Sequence, residues 1–480
     1  MKKLFLGIFF FCAYVCVKAQ GKLLDSTMLA KEKEYTNLAE ALKEPLKVYK
    51  LDLSHQDITS LRKRIRKFKN LQVFDCSGNE IKSLPKEIGE LKNLQIFDCS
   101  SNEIKSLPRE IGELRNLQIF DCRSNEIKSL PKEIGELKNL QIFDCSSNDL
   151  TSLPKEIGEL RNLQILSCGR NKLISLPKEI GELKNLIGLH LHSHFMSLPK
   201  EKGEGVLNFQ GNFISLPKEI LELKNLRALS LDGSFTSFPK EVLELKDLTY
   251  LYLQGNFASL PKEIGELKNL TYLYLYGSFS SLPKEILELK NLTNLTLGSN
   301  QLTSFPKEIP ELKNLKALHF RSDQLTSFPK EILELKDLTY LYLQGDFPSL
   351  PKEIGNLINL TNLDLRVNKF TSLPKEIGEL KNLITLDLRS NQLTSLPKEI
   401  GELKNLIKLN LFNNKLTSLP KEIGELRNLI NLNLQSNLFT SLPKEIEALK
   451  KLPIVNLFHN PISEAEKKRI KKMFPERILF

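Results

Sequence analysis

Three sets of residues have types and spacings that could do chemistry. The first is Leu189-His190-Leu191-His192-Ser193-His194. On a strand, His190 and His192 project from one face roughly 7 Å apart, as a zinc-binding pair can, but a third ligand must also converge. Neighbouring strands offer only Ser167 and Asn208 at the matching position, so the cluster reads as structural, with no metal and no cofactor. The second set is Cys76, Cys99, Cys122, Cys145 and Cys168, each 23 residues after the last. Equal spacing puts them in one column, where parallel strands ~4.8 Å apart aim every Cβ the same way and disulfides cannot close. They are expected to act as small buried hydrophobes. The third set is aromatic: Tyr250 and Tyr252, then Tyr272, Tyr274 and Tyr276, then Tyr340 and Tyr342, with His319 between. Tyrosine combines rigid area with a hydroxyl and is enriched where proteins bind partners. No GxSxG, P-loop, HExxH or zinc-spaced CxxC pair occurs, so no residue is assigned a catalytic role and an enzyme is not expected.

These residues are positioned by a repeat. From Leu71 the unit runs Leu-Gln-Val-Phe-Asp-Cys-Ser-Gly-Asn-Glu-Ile, then KSLPKEIGELKN. Apolar side chains hold positions 1, 4, 6 and 11, and Asn holds position 9. The pattern continues from about Leu46 to Asn460 in some 19 repeats. Positions 4 and 6 should face the core while 3, 5 and 7 face out. Stacking then builds one parallel sheet on a concave wall, with EIGEL as a short helical or 3₁₀ turn on the convex side. The expected architecture is an α/β solenoid shaped as a horseshoe. The position-9 amides should form a buried ladder that serves backbone groups after each strand: Asn79, Asn102, Asn125, Asn148, Asn171, Asn256, Asn300, Asn368, Asn391, Asn414 and Asn437. Between Asn212 and Asn300 the repeats shorten to 22 residues, and only 18 separate His194 from Asn212. A local kink is expected over 195–212.

The ends need caps, because an open solenoid exposes its core. Residues 20–45 should form a helical cap, with Thr36 or Asn37 as N-cap and Pro45 as its stop. Residues 461–480 should form a basic capping helix opened by a Ser463–Glu466 capping box, with Ile470, Met473 and Phe474 covering the last repeat. Residues 1–19 read as a signal peptide: Lys2 and Lys3, an apolar run from Leu4 to Val17, then Val17-Lys18-Ala19. Lipidation at Cys12 or Cys16 is the rival, but Phe9-Phe10-Phe11 and Ala13-Tyr14-Val15 are both poor approaches to a lipidated cysteine. The net charge of +11 sits largely in Lys–Glu phrases, a solvated mixed-charge face and not a nucleic-acid stripe.

The repeat resembles the leucine-rich repeat family over most of the chain, and LPKEIGELKNL resembles its short bacterial and Ras-binding-type subclass. TNLAEALKEPLKVYKLDLS, NPISEAEKKRI and the 23-residue unit together resemble proteins of leptospiral spirochaetes. That resemblance implies an exported, monomeric binding protein, secreted or at the cell surface, with no membrane span once the signal is cleaved. Its concave face would dock a protein or glycan, such as a host extracellular-matrix component, receptor or glycosaminoglycan. The alternative is an intracellular scaffold that binds signalling proteins such as small GTPases. Beside the seven tyrosines and His319, the expected partner-binding residues include Arg321, Arg366 and Arg389 in position 7. An acidic column, Asp52, Asp75, Asp98, Asp121 and Asp144, lies nearer the N-terminus, so the wall should carry a charge gradient.

Overall fold

The computed structural model describes residues 23–191, 218–233, 235–453, 455–474 and 478–479. The expected signal peptide, His192, His194, Asn212 and the 195–212 kink lie outside them. The chain divides into two compact units, Met1–Ser234 and Phe235–Phe480.

The N-terminal unit opens with helix α1 (Ser26–Lys31), strand β1 (Glu34–Tyr35) and the single turn α2 (Leu38–Ala41). Asn37 caps α2 by accepting from Glu40 N at 3.0 Å. Pro45 does not simply stop this cap. It opens a 3₁₀ turn, Pro45–Lys47, because a fixed φ and a missing N–H suit a first helical position. Strands β2 (Lys50–Asp52) to β7 (Ile165–Ser167) follow at one per repeat, then β8 (Gly188–His190) and β9 (Ala228–Asp232), all parallel and in register. Gly188 pairs directly with Ala228, so residues 40 apart in sequence stand where residues 23 apart, such as Ile142 and Ile165, stand elsewhere.

Between strands the PKEIGEL segment forms the expected 3₁₀ turn. Pro85 sits at φ −69°, ψ 149° just before Lys86–Glu90, and its carbonyl accepts from Ile88 N at 3.0 Å. The core is built in columns. Phe74, Phe97, Phe120 and Phe143 stack with centroids 5.4 to 5.6 Å apart. The five cysteines beside them are free and buried, and burial drives their thiols well above the usual range.

Position 8 explains how the ladder works. Ser101, Ser124, Ser147 and Arg170 hold φ between 51° and 54°. This left-handed residue breaks the alternation and turns the next side chain, position 9, inward. Asn148 shows the result: its Nδ2 donates to Cys122 O (3.0 Å), Cys145 O (3.1 Å) and Ser146 O (3.1 Å), while its Oδ1 accepts from Ile127 N (3.0 Å). A second ladder runs along the flank, as in Asn93 Nδ2 donating to Lys69 O and Asn116 Nδ2 to Lys92 O. Ion pairs join each 3₁₀ turn to the segment that follows the preceding one, among them Lys69–Glu90 at 2.9 Å and Lys138–Glu159 at 2.6 Å. That is the solvated mixed-charge face.

The C-terminal unit holds ten further repeat strands, β10 (Tyr250–Gln254) to β19 (Val455–Asn456). It closes with α3 (Glu464–Met473) and β20 (Ile478–Leu479), which pairs with β19. Ser463 caps α3 by accepting from Glu466 N at 3.3 Å. The reciprocal half of the capping box is replaced: Glu466 accepts from Leu442 N and pairs with Arg469. Ile470 and Phe474 are buried.

Here the position-9 ladder differs from expectation. It is present at Asn368, Asn391, Asn414 and Asn437, where position 8 again has positive φ at Val367, Ser390, Asn413 and Ser436. Asn256 and Asn300 are exposed instead. In their repeats the strand runs on for five or six residues, so position 8 keeps its inward parity and position 9 points out. Ser299 and Ser322 then fill position 8 and donate to Phe279 O and Leu302 O. In the 22-residue repeats position 8 is glycine, because a Cβ at Gly277 would lie 2.8 Å from both Phe257 and Phe279.

Candidate functional site

The longer strands of the C-terminal unit carry the tyrosines. β11 (Tyr272–Gly277), β12 (Asn294–Ser299), β13 (Ala317–Ser322) and β14 (Tyr340–Gln344) continue from β10 in register. Position 5 therefore reads Tyr252, Tyr274, Thr296, His319 and Tyr342 across five strands. Position 7 reads Gln254, Tyr276, Gly298, Arg321 and Gln344.

The rings pack on one another. Tyr250 lies 5.6 Å from Tyr274, and Tyr252 lies 6.1 Å from Tyr274 and 5.9 Å from Tyr276. Tyr276 leans over β12, for a Cβ on Gly298 would meet its ring at 2.3 Å. Only glycine lets that ring lie down. On the far side His319 stacks on Tyr342 with centroids 3.7 Å apart, and the Arg366 guanidinium covers the same ring at 5.1 Å. Tyr342 is thus only 6% exposed and Thr296 only 5%, where the sequence suggests an open patch. The other six tyrosines are half-buried.

This packing sets the electrostatics. Burial pushes the Tyr274 and Tyr342 hydroxyls up to about 12, and raises Tyr250, Tyr276 and Tyr340 as well. Burial, with Arg366 and Arg321 nearby, lowers His319 to about 3, so the imidazole is neutral at any physiological pH. The arginines do not form a free cationic column. Arg366 pairs with Asp364 at 2.7 Å, Arg389 with Asp387 at 3.4 Å and Arg321 with Asp323 at 3.4 Å.

In the N-terminal unit the aspartates share the outward position 5. They are not freely solvated: Asp121 and Asp144 are 3% and 2% exposed, with Arg123 at 3.3 and 3.9 Å. Burial and the neighbouring Asp98 raise Asp75 to about 6, and burial also raises Asp121 and Asp144. His190 follows in the same column beside Ser167 and Ser230. Among the described residues no group of three His, Cys, Asp or Glu could hold a metal ion.

A separate groove of about 620 Å³ runs along the flank of the C-terminal unit, lined by Ile384, Ile407, Ile430 and a column of asparagines. Those amides already donate to the preceding repeat, as Asn405 does to Lys381 O, and Lys451 at the end of the groove donates to Asn428 Oδ1. Sequence reasoning found the tyrosines by their spacing. It missed Gly298 and the glutamines of position 7, whose roles appear only once neighbouring strands are aligned.

A regular stack of parallel strands and 3₁₀ turns, with an outward sheet face bearing clustered aromatics, defines a solenoid of leucine-rich repeats. Leucine-rich repeat patterns match residues 206–297 and 348–474 (leucine-rich repeat region), 290–346 and 69–115. A leucine-rich repeat protein of Leptospira interrogans is 41% identical, with 93% of this chain and all of that one covered and a TM-score of 0.57. The chain belongs to the leucine-rich repeat family. The ectodomain of the Arabidopsis thaliana receptor kinase GASSHO1/SCHENGEN3, solved in complex with CASPARIAN STRIP INTEGRITY FACTOR 2, is 27% identical, with 88% of this chain and 60% of that one covered and a TM-score of 0.52. No curated protein matches the sequence. Among the described residues no helix is long and apolar enough to cross a membrane.

Proposed function

We propose that this chain is an exported, non-enzymatic binding protein that docks a protein partner on the tyrosine face of strands β10 to β14, with a host matrix or cell-surface component as the candidate class. One observation carries the reading: seven of the ten tyrosines share one outward sheet face, and five of them, Tyr250, Tyr252, Tyr272, Tyr274 and Tyr276, pack ring against ring before any partner arrives. Rigid aromatic area costs little conformational entropy on binding, which is why such clusters serve as hot spots. The similar plant receptor ectodomain, solved with its ligand, supports protein binding in this fold. Export rests on the basic, apolar and small-residue succession of residues 1–19.

The test uses the chain recovered from its producing cells, with its N-terminus sequenced and its binding measured against a panel of matrix proteins and glycosaminoglycans. The expected chain begins at Gln20. The substitutions Tyr250→Ala, Tyr252→Ala, Tyr272→Ala and Tyr274→Ala together should weaken binding at least about 100-fold, with the circular dichroism spectrum unchanged. A partner that binds this variant with unaltered affinity removes the face from consideration. A chain that still begins at Met1 favours the intracellular scaffold.

A further inference from the structure

The tyrosine face contains two copies of one device. Tyr-Leu-Tyr-Leu-Gln-Gly occurs at 250–255 and again at 340–345, on β10 and β14. In both, the position-5 hydroxyl donates to the amide oxygen two residues on. Tyr252 donates to Gln254 Oε1 at 2.7 Å, and Tyr342 donates to Gln344 Oε1. With its oxygen taken, each glutamine presents its NH₂ group as a fixed donor beside a tyrosine ring. Arg321 and Arg366 add donors in the same position-7 row, and a guanidinium can never accept. Each arginine carries an aspartate partner, so the face has no strong net charge to offer. What it lacks is a ligand rich in acceptors, apolar in its sides and poor in donors.

A run of prolines has that chemistry. Its backbone has carbonyls and no N–H, and its rings pack on aromatic faces. The spacing agrees as well. From β10 to β14 the register crosses four strand intervals, about 19 Å at ~4.8 Å each. Two turns of polyproline II, with three residues per turn and ~3.1 Å per residue, also span about 19 Å. A β-extended peptide also covers that distance in about six residues at ~3.3 Å each, so it is the backbone N–H groups, which proline lacks, that separate the two ligands. Between the two devices the Tyr276 ring lies across Gly298, an aromatic surface on the path of a chain that crosses.

Resting on the tyrosine face as a binding site, we infer that its ligand is a proline-rich segment in the polyproline II conformation. It lies across the strands, with carbonyls two turns apart accepting from Gln254 and Gln344. The probe is an acetylated, amidated peptide of about ten prolines, titrated into the full chain. The chain has no Trp, and seven of its ten tyrosines lie on the face, so tyrosine fluorescence reports binding by a peptide that is itself dark. Saturable binding is expected, weakened about tenfold by the pair Gln254→Glu and Gln344→Glu, which keeps an acceptor for each tyrosine hydroxyl but removes the outward donor. A peptide of about four prolines, too short to reach both devices, should bind about tenfold more weakly still. No saturable signal up to about 2 mM, or an affinity indifferent to both glutamines, overturns the inference. Binding of a decaglutamate or a maltohexaose in place of the proline peptide does the same. A matrix ligand that needs the tyrosines but not the glutamines would leave the tyrosine face standing and remove only the proline-rich ligand.

Discussion

At the scale of single residues, what decides the structure is seldom the residue that draws the eye. Tyr276 can lie across β12 only because position 298 has no side chain. Val367 shows the opposite case. It is a β-branched residue at φ 54°, 47% exposed, in a left-handed slot where its equivalents are Ser390, Asn413 and Ser436. Branching at Cβ crowds the backbone there, whereas asparagine tolerates it. Val367→Asn should therefore stabilise the chain by about 1 kcal/mol, read as a shift in the urea midpoint with unchanged slope. An unchanged or lower midpoint would show that Val367 makes a packing contribution large enough to offset its backbone strain.

At the scale of the element, the repeat has two ways of ending a strand. Where position 8 is left-handed, the asparagine at 9 turns in and makes four bonds. Where the strand runs on, position 8 itself is inward and must be glycine or serine. Asn148→Ala leaves buried backbone groups unserved and should cost about 3 kcal/mol, while Asn256→Ala, on an exposed side chain, should cost no more than about 0.5 kcal/mol. Equal costs would contradict the parity argument. Much of this fold was legible in the sequence, because apolar positions 1, 4, 6 and 11 and the recurring proline dictate a strand and a 3₁₀ turn locally. Asn256 and Asn300 misled because residue type alone does not reveal backbone handedness. Position 8 does not reveal it either, because Ser299 ends an extended strand while Ser101, Ser390 and Gly78 hold positive φ at the same position. The tyrosine columns were also legible, since alternation puts positions 3, 5 and 7 outward. The burial of Tyr342 was not, because it depends on His319 and Arg366 from the adjoining strands.

At the scale of the molecule, stacking identical charges has a thermodynamic sign. In the N-terminal unit Asp75 titrates near 6 in place of about 3.8, and Asp121 and Asp144 shift the same way. The folded chain therefore holds protons that the unfolded chain has released. This term favours folding most below about pH 4 and is lost as pH rises through about 6. The opposing carboxylates, such as Glu90 and Glu159, are held below their usual range by lysines, so they remain ionised between pH 7 and 5. His319, held near 3 in the fold against about 6.5 in a free imidazole, works the other way over this interval, so the aspartate term is read as a difference between variants. As pH falls from 7 to about 5, the melting temperature of the parent chain should gain on that of Asp75→Asn; a difference that does not change with pH would mean that Asp75 does not bind its proton in the folded state.

The two strand endings also bear on how the protein can change by copying itself. A repeat whose inward residue is at 8 and one whose inward residue is at 9 are out of phase by a side chain. A duplicated segment brings its own phase with it, and a phase change then falls at the border with the next repeat. KDLTYLYLQGNF at 246–257 and KDLTYLYLQGDF at 336–347 are near-copies, and both sit in long-strand repeats that keep position 8 inward. The tyrosine face can thus lengthen or shorten by whole repeats within its own phase, and the two phases join at β14 and β15, where Asn368 Oδ1 accepts from Gly345 N.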